Sequence, residues 1–396
     1  MKALFLIDNE TSEHGFANYI KASRFKQTTG VYFFNKVDKN NAFDKSISVG
    51  KVSQKFKKDS KKNRISSLKS FFAFLLIPAL CFRFFFRIIA SKKILDEYKP
   101  DQIYISSDRI YANGFFQPFL CAALRYEKQI FILQVADFAD EERMVRQRMF
   151  NESFEPSILT RIFFKNYIFS SNEAKVQYYP FHILCVLKFF SILPENPKFV
   201  GTTEINNLIL FNKSYLNKVP QQLKSKLRYT LLEESITHRD ITNIQSLGLA
   251  LPQFFEHGFC VKEDAWALYD ELFKEIAKLN CDVFIFLHPK MNKNEYAPLI
   301  EKYNLKIYNN ESLQGLDEID LFVNCFSSLT HNAIKRCIPT VIYDPLGLNY
   351  QMFNSYDSLI YVNSAKDLSW EVNKLQANRN YLDTLLKKLS KDSKKI

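Results

Sequence analysis

The chain has 396 residues, of which 47% are hydrophobic and 24% are charged, and it carries a net charge of +12. This length and composition predict a folded protein with two domains and exclude a largely disordered chain. The seven cysteines form no CxxC pair and the nine glycines form no phosphate-binding loop, which argues against a zinc site, a disulfide framework and a P-loop or dinucleotide site. The positive charge suits nucleic acid, an anionic membrane surface or an anionic substrate.

The first half of the sequence alternates short apolar runs with helical patterns. The predicted strands are 2–8, 30–35, 101–107 and 129–137, and a helix is predicted over 111–127. This alternation predicts a parallel sheet that is covered on both faces. Residues 227–243 are predicted to be a connector and not part of a sheet, and the remainder of 150–240 has no clear pattern.

An apolar, phenylalanine-rich segment lies at 71–90 and follows a basic segment at 51–64, which has seven Lys or Arg residues against one Asp. Arg83 and Arg87 lie inside the apolar segment, which argues against a membrane-spanning helix. Basic residues beside an apolar helix are typical of a helix that lies on a membrane surface. We therefore expect a membrane-surface helix near 65–92, and the alternative is a buried helix after a solvated basic loop.

The alternating pattern resumes near residue 243. The predicted strands are 243–252, 282–288, 305–309, 319–328 and 338–344. The predicted helices are 262–280, 293–304, 329–337 and the last 25 residues, which end in a lysine-rich tail.

The two alternating regions predict an α/β protein with two Rossmann-like, doubly wound domains that face a cleft. The first domain is predicted at 1–240 and includes the membrane-surface helix. The second is predicted at 241–370, followed by a C-terminal helix and basic tail at 371–396.

Polar residues follow two predicted strands of the second domain. They are His288 and Lys290 after one strand, and Asn324, Ser327 and Ser328 at the end of another. Ligands of open parallel sheets bind beyond the carboxyl ends of the strands. If the two strands are neighbours, as their spacing predicts, these residues form a phosphate site without glycines. The alternatives are a helix-capping serine and a structural histidine.

The segments "FIFLHPK", "NNESLQG" and "DLFVNCFSSLTHNAI" resemble the HP and SS motifs of bacterial GT-B glycosyltransferases that use CMP-activated sugars. These enzymes include sialyltransferases, polysialyltransferases and Kdo transferases. The resemblance is clearest over 240–350. Polymerases that use CDP-glycerol or CDP-ribitol have comparable residues at their strand ends.

The resemblance implies roles for individual residues. His288, Ser327 and Ser328 would hold the CMP phosphate, with Pro289, Lys290 and Asn324 beside them, and Glu311 would contact the nucleoside. His288 would also take part in catalysis by stabilising the departing phosphate.

The family also has an acidic motif in its first domain, where a carboxylate acts as general base. The matching segment here is "VADFADEERMV" at 135–145, and its candidates are Asp137, Asp140 and Glu141. The family's glycine is missing from this segment and the spacing differs. The alternative is that these acids only stabilise the start of a helix.

These features predict a glycosyltransferase that transfers a sialic acid-like or Kdo sugar from a CMP-sugar donor to a bacterial surface glycan, in capsule or lipooligosaccharide. We expect an inverting transfer. We also expect that it needs no metal ion or other cofactor, because His and Lys can supply the positive charge and no DxD motif is present. The expected location is cytoplasmic, on the inner face of the cytoplasmic membrane, with no nucleic acid as partner. The alternatives are a CDP-glycerol or CDP-ribitol polyol-phosphate transferase and a non-enzymatic basic peripheral membrane protein.

Overall fold

The computed structural model describes most of the chain. The described residues are 1–33, 42–49, 75–109, 116–135, 138, 156–170, 175–177, 179–232, 240–288, 291–309, 312–349 and 353–396. The chain divides into two compact units, of which one comprises Met1–Phe211 with Tyr215–Leu232 and the other comprises Asn212–Ser214 with Glu233–Ile396. Each unit contains its own parallel sheet, so the predicted α/β class is confirmed.

The described elements up to residue 232 begin with a strand at the N-terminus. The strands are β1 (Lys2–Ile7), β2 (Gln27–Tyr32), β3 (Lys45–Ser48), β4 (Gln102–Ile105), β5 (Gln129–Leu133), β6 (Ile168–Ser170), β7 (Lys175–Gln177), β8 (Asn207–Leu210) and β9 (Arg228–Leu231). The α-helices are α1 (Glu10–Ala22), α2 (Ile77–Tyr98), α3 (Phe116–Arg125), α4 (Ile158–Phe163), α5 (Phe181–Phe189), α6 (Ser214–Lys218) and α7 (Gln221–Lys224). β6 and β7 form an antiparallel pair.

The first sheet has, within the described residues, seven parallel strands in the order β3-β2-β1-β4-β5-β8-β9. The chain runs outward from β1 through β2 to β3 and then returns to β4 on the other side of β1. The strand order therefore reverses between β1 and β4, and open α/β sheets bind ligands beyond the carboxyl ends of the strands at such a switch point.

The prediction of a connector at 227–243 was wrong, because this range contains β9. Arg228, Tyr229 and Thr230 of β9 are exposed, since the strand lies at the edge of the sheet and pairs only with β8 among the described strands. An edge strand with exposed side chains lacks the apolar run by which a strand is recognised in a sequence.

The second unit begins its sheet at residue 246. The strands are β10 (Ser246–Ala250), β11 (Asp282–Phe286), β12 (Lys306–Ile307), β13 (Leu321–Asn324), β14 (Thr340–Tyr343) and β15 (Leu359–Val362). The helices are α8 (Lys262–Ile276), α9 (Lys293–Glu301), α10 (Ser312–Gly315), α11 (Leu329–Lys335), α12 (Ala365–Ala377) and α13 (Arg379–Asp392). The predicted last helix is interrupted at Asn378, whose side chain caps α13.

The second sheet has, among the described residues, six parallel strands in the order β12-β11-β10-β13-β14-β15. Its switch point therefore lies between β10 and β13. The prediction that β11 and β13 are neighbours was wrong, because β10 pairs with both and separates them. The carboxyl end of β10 consequently lies between the two strand ends that carry the predicted phosphate site.

The apolar segment near 71–90 forms α2 from Ile77 onward. Helix α2 packs against α3 and α5, and Ile88 and Leu95 are buried on that side. Among the described residues, no helix is both long enough and apolar enough to cross a membrane.

Candidate functional site

The predicted nucleotide site is described at four positions in the second unit. These are His288, Asn324, Ser327 and Ser328. The predicted residues Pro289, Lys290 and Glu311 lie outside the described residues, as do the predicted base candidates Asp137, Asp140 and Glu141. The assignment of all these residues to a site stays a prediction.

Asn324 is the last residue of β13 and is completely buried. Its Oδ1 accepts hydrogen bonds from the Ser327 backbone N–H at 3.0 Å and from the Thr330 hydroxyl at 3.1 Å. Asn324 therefore fixes the turn between β13 and α11, which presents the two serines.

The two serines of this turn differ in what their hydroxyl groups do. The Ser327 Oγ accepts a hydrogen bond from the Leu329 N–H at 3.3 Å, so it supports the start of α11. Ser328 occupies the N-cap position of α11, and within the described residues its side chain makes no capping bond. Ser328 is thus the serine whose hydroxyl is not needed to start the helix.

His288 follows β11, which ends at Phe286 and not at the histidine. The side chain is half-buried, and the backbone carbonyl accepts a hydrogen bond from the Met291 N–H at 2.8 Å. This bond closes a turn at the carboxyl edge of the sheet, and it sets the backbone position from which the imidazole extends.

His257 is a second histidine at this edge, and sequence reasoning missed it. It lies on the segment that leaves β10, and its ring stacks on Phe326 with 5.3 Å between the ring centroids. Phe326 directly precedes Ser327, and Phe259 packs against the Phe326 ring with 5.4 Å between the ring centroids. His257 therefore lies beside the switch point of the second sheet.

Two tyrosines hold the segment that carries His257. The Tyr269 hydroxyl of α8 donates to the Pro252 carbonyl at 2.5 Å and accepts from the Phe254 N–H at 3.3 Å. The Tyr296 hydroxyl of α9 donates to the Glu256 carboxylate. The signal that could have identified His257 in the sequence is its place on a segment that leaves a buried strand, although it lies seven residues beyond the end of β10 and His288 only two beyond the end of β11.

The switch point of the first sheet carries a carboxylate. Asp8 directly follows β1, and its Oδ1 accepts a hydrogen bond from the Ser106 hydroxyl, at the end of β4, at 2.8 Å. The Asn9 side-chain amide donates to the other carboxylate oxygen, and Asn9 forms a capping box with Ser12 at the start of α1. Burial raises the pKa of the half-buried Asp8 carboxyl.

The predicted base segment begins close to the same helix. Gly15 of α1 packs so tightly on Val135 that a Cβ at position 15 would lie 2.4 Å from the Val135 Cβ. The second turn of α1 is therefore held against the exit of β5, where the predicted base segment begins.

Asp108, which follows β4 in the same unit, has a structural role. Its carboxylate accepts hydrogen bonds from the N–H groups of Gly201 (3.1 Å), Thr202 (3.1 Å) and Thr203 (3.2 Å), and from the Thr203 hydroxyl (2.9 Å). Asp108 is buried and fastens this segment. Among the described residues, no group of three or more histidine, cysteine or carboxylate side chains is placed to hold a metal ion.

The fold matches solved GT-B glycosyltransferases with two Rossmann-like domains. CalG4, the calicheamicin glycosyltransferase, aligns with a TM-score of 0.51 and 11% identity over 99% of this chain and 94% of its own. The glycotransferase of kitacinnamycin aligns with a TM-score of 0.52 and 10% identity over 100% of this chain and 94% of its own. The spinosyn rhamnosyltransferase SpnG aligns with a TM-score of 0.52 and 8% identity over 100% of this chain and 96% of its own. At these identities the likeness establishes the fold alone. Comparisons with protein-family models and with curated protein sequences gave no match.

Proposed function

We propose that the protein is a glycosyltransferase that transfers a sialic acid-like or Kdo sugar from a CMP-sugar to a bacterial surface glycan, in capsule or lipooligosaccharide. The observation that carries the proposal is the set of polar residues at the carboxyl edge of the second sheet in a GT-B fold. His257, His288 and Ser328 lie on three segments that leave β10, β11 and β13. The HP and SS segments at this edge resemble those of enzymes that use CMP-sugars.

The donor chemistry fits these groups. When the sugar leaves CMP, negative charge develops on the phosphate, and donors already fixed in place stabilise it without reorganisation. In the proposal His288 and Ser328 donate to the phosphate, and Lys290 adds positive charge. Glu311 contacts the nucleoside, as the resemblance implies. No metal ion or other cofactor has a step in this scheme.

A base must remove the proton from the acceptor hydroxyl, and the transfer is proposed to invert the anomeric centre. The resemblance implies Asp137, Asp140 or Glu141 as the base. The geometry adds Asp8, since it follows β1 at the switch point of the first sheet and burial raises its pKa. A raised pKa improves a carboxylate as a general base. We expect Asp8 to be the base.

The acceptor in this proposal is a glycan or glycolipid at the inner face of the cytoplasmic membrane, where the protein binds peripherally. Helix α2 supports this part of the proposal, because Leu75 and Leu76, directly before it, and Phe82 in its second turn are exposed. Nucleic acid is not a proposed partner.

The test is release of the nucleotide from a panel of donors by the full chain and by His288→Ala. The panel contains CMP-sialic acid, CMP-Kdo, CDP-glycerol, CDP-ribitol and UDP-sugars. Turnover confined to CMP-sugars, and lost in His288→Ala, supports the proposal. Turnover of CDP-polyols alone would identify a polyol-phosphate transferase, and turnover of no donor, together with vesicle binding, would identify a non-enzymatic membrane protein.

A further inference from the structure

Helix α2 presents a row of large apolar side chains outward. Phe82, Phe86 and Ile89 lie at helical spacing on one side and are 66%, 51% and 39% exposed, and Phe85 borders them. The Phe82 and Phe86 rings touch, with 4.5 Å between their centroids. Single exposed apolar residues need no explanation, but a contiguous set marks an interaction surface.

The opposite side of α2 is firmly packed. Phe84 stacks on Phe190 with 4.5 Å between the ring centroids, and Ile88 and Leu95 are buried. The orientation of the helix is therefore set by its core contacts, so the outward face is a stable feature of the unit.

Two further segments extend the apolar surface, and nothing in the sequence predicted them. On α4, Ile158, Ile162 and Phe163 are each about two-thirds exposed, and at the end of α5 Phe189 is 72% exposed. Phe164, the C-cap residue of α4, packs against Phe181 of α5 with 5.7 Å between the ring centroids. Helix α5 also packs against α2, so it connects all three exposed segments.

Basic side chains accompany these apolar ones. They are Arg83, Lys92 and Lys93 on α2, Arg161 and Lys165 at α4, and Lys188 on α5. Helices α4 and α5 contain no acidic residue, and the acids of α2, Asp96 and Glu97, lie in its last turn. The surface is therefore apolar with mainly positive charge around it, and Glu204 lines the same pocket as Phe189.

We propose that α2, α4 and Phe189 form one docking surface for an anionic phospholipid bilayer. Phenylalanine and isoleucine side chains would enter the headgroup and upper acyl region, and the Lys and Arg side chains would contact anionic headgroups. The charge distribution favours lipid over a second copy of the chain, because a two-fold contact would bring these cations together. This surface deepens the proposed function by naming the membrane partner. It rests on the proposed function in one respect: the purpose of membrane binding would be to reach a membrane-bound acceptor.

Flotation of the full chain with vesicles tests the surface. One set of vesicles contains equal parts of phosphatidylglycerol and phosphatidylcholine, and the other contains phosphatidylcholine alone. We expect binding to the anionic vesicles that weakens at high salt, and clearly weaker binding to the neutral ones. Absence of binding to the anionic vesicles would overturn the proposal.

Variants locate the surface. Phe82→Ser with Phe86→Ser, Ile162→Ser with Phe163→Ser, and Phe189→Ser should each lower the bound fraction, by about tenfold for each double variant. Trp370→Ser is the matched control, because Trp370 is 62% exposed and lies on α12 of the other unit. Loss of binding in the α2 variant alone would refute the three-part surface, and equal loss in Trp370→Ser would refute its location.

Two measurements separate this proposal from others. Nucleotide release in detergent with a soluble acceptor should be unchanged in the surface variants, so failure of vesicle binding and failure of donor turnover are distinct results. Sedimentation without lipid should show a monomer. A dimer that the Phe82→Ser, Phe86→Ser variant dissociates would show that a second copy occupies the surface, and would overturn the proposal.

Discussion

The carboxyl edges of the two sheets differ in chemical character, although both sheets are parallel and each has a switch point. The second sheet places His257, His288 and Ser328 at its edge, whereas the first places Asp8 at the switch point itself. Imidazole and hydroxyl groups suit an anion, and a carboxylate in a desolvated place suits a proton. In the proposed function this difference corresponds to two separate tasks, with the second unit holding the donor phosphate and the first receiving the acceptor's proton.

Each edge also contains polar groups whose role is structural. At the second sheet, Asp344 after β14 accepts hydrogen bonds from the Leu348 N–H (2.9 Å) and the Asn349 N–H (2.8 Å). At the first sheet, Asp108 holds the segment around Thr202. A polar residue at a strand end is therefore not sufficient evidence of a site, because the hydrogen bonds decide between structure and ligand binding.

The largest expected effect tests Asp8 at the carboxyl edge of the first sheet. Asp8→Asn should lower kcat/KM about 10²–10⁴-fold, the typical contribution of a general base. Because burial raises the pKa of Asp8, the acidic limb of the wild-type pH–rate profile should lie above the usual range of an aspartate. Asp101→Asn is the control, since Asp101 precedes β4 at the opposite edge of the same sheet and accepts from the Lys2 N–H at 2.7 Å. A loss confined to variants of Asp137, Asp140 or Glu141 would contradict the role of Asp8 and support the resemblance.

Stability should separate Asp8 from a structural acid. A raised pKa means that the folded state holds the proton more tightly than the unfolded chain does. Ionisation of Asp8 therefore lowers the free energy of unfolding as the pH rises above the pKa of the unfolded chain. The whole loss is present once the pH exceeds the pKa of the folded state. Asp8→Asn removes this cost, and we expect the free energy of unfolding at neutral pH to be equal or higher. Denaturant unfolding measures it, and a clear loss of stability would show that Asp8 mainly supports the fold.

The next effect tests the two histidines at the carboxyl edge of the second sheet. His288→Ala should lower donor turnover about 10²–10³-fold, as expected for one preorganised donor to a developing anion. His257→Ala should have a smaller effect, about tenfold, if its stacking on Phe326 only borders the phosphate. His182→Ala on α5 of the first unit is the control. Equal effects of all three variants on steady-state kinetics would contradict a phosphate site at this edge.

A smaller effect concerns the turn that presents the serines. Asn324→Ala should lower the free energy of unfolding by about 2 kcal/mol, because the Ser327 N–H loses its acceptor. The Thr330 hydroxyl keeps the Ser327 carbonyl, at 2.8 Å, as an acceptor. The donor KM should rise as well. Urea unfolding and steady-state kinetics measure the two effects, and a stable variant with an unchanged KM would show that the turn does not depend on Asn324.

The smallest effect distinguishes the two serines. Ser327→Ala should cost about 1 kcal/mol of stability, because its Oγ supports the Leu329 N–H. Ser328→Ala should leave stability unchanged, since the side chain makes no capping bond within the described residues, and it should weaken donor binding. Unfolding midpoints and donor KM values test both, and the reverse pattern would exchange the roles of the two residues.

Much of the fold was predictable because its buried elements have strong periodicity. β1 is a buried apolar run, and α8 places Tyr269, Phe273 and Ile276 on one side. The exposed edge strand β9 has no such pattern, and the short strand β3 has none either. Local patterning therefore identified most strands in the interior of the sheets, but it missed the buried strand β8, which lies between β5 and β9.

The candidate site was predictable in part. His288 and the serines were identified from their places after strands, but the position of β10 between β11 and β13 depends on where the chain returns to the sheet. The bond between Ser106 and Asp8 joins residues 98 positions apart, and the sequence has no local signal for it. His257 was missed because a long segment separates it from the end of β10.

Calorimetric titration of CMP into the full chain tests most directly whether the second unit holds a cytidine donor. CMP should bind more tightly than UDP and UMP, and His288→Ala should weaken CMP binding by about tenfold or more, which is about 1.4 kcal/mol or more. Asp8→Asn should bind CMP like the wild type, because the proposed phosphate site lies in the other unit. Tighter binding of UDP than CMP, or unchanged CMP binding in His288→Ala, would contradict the proposed donor site.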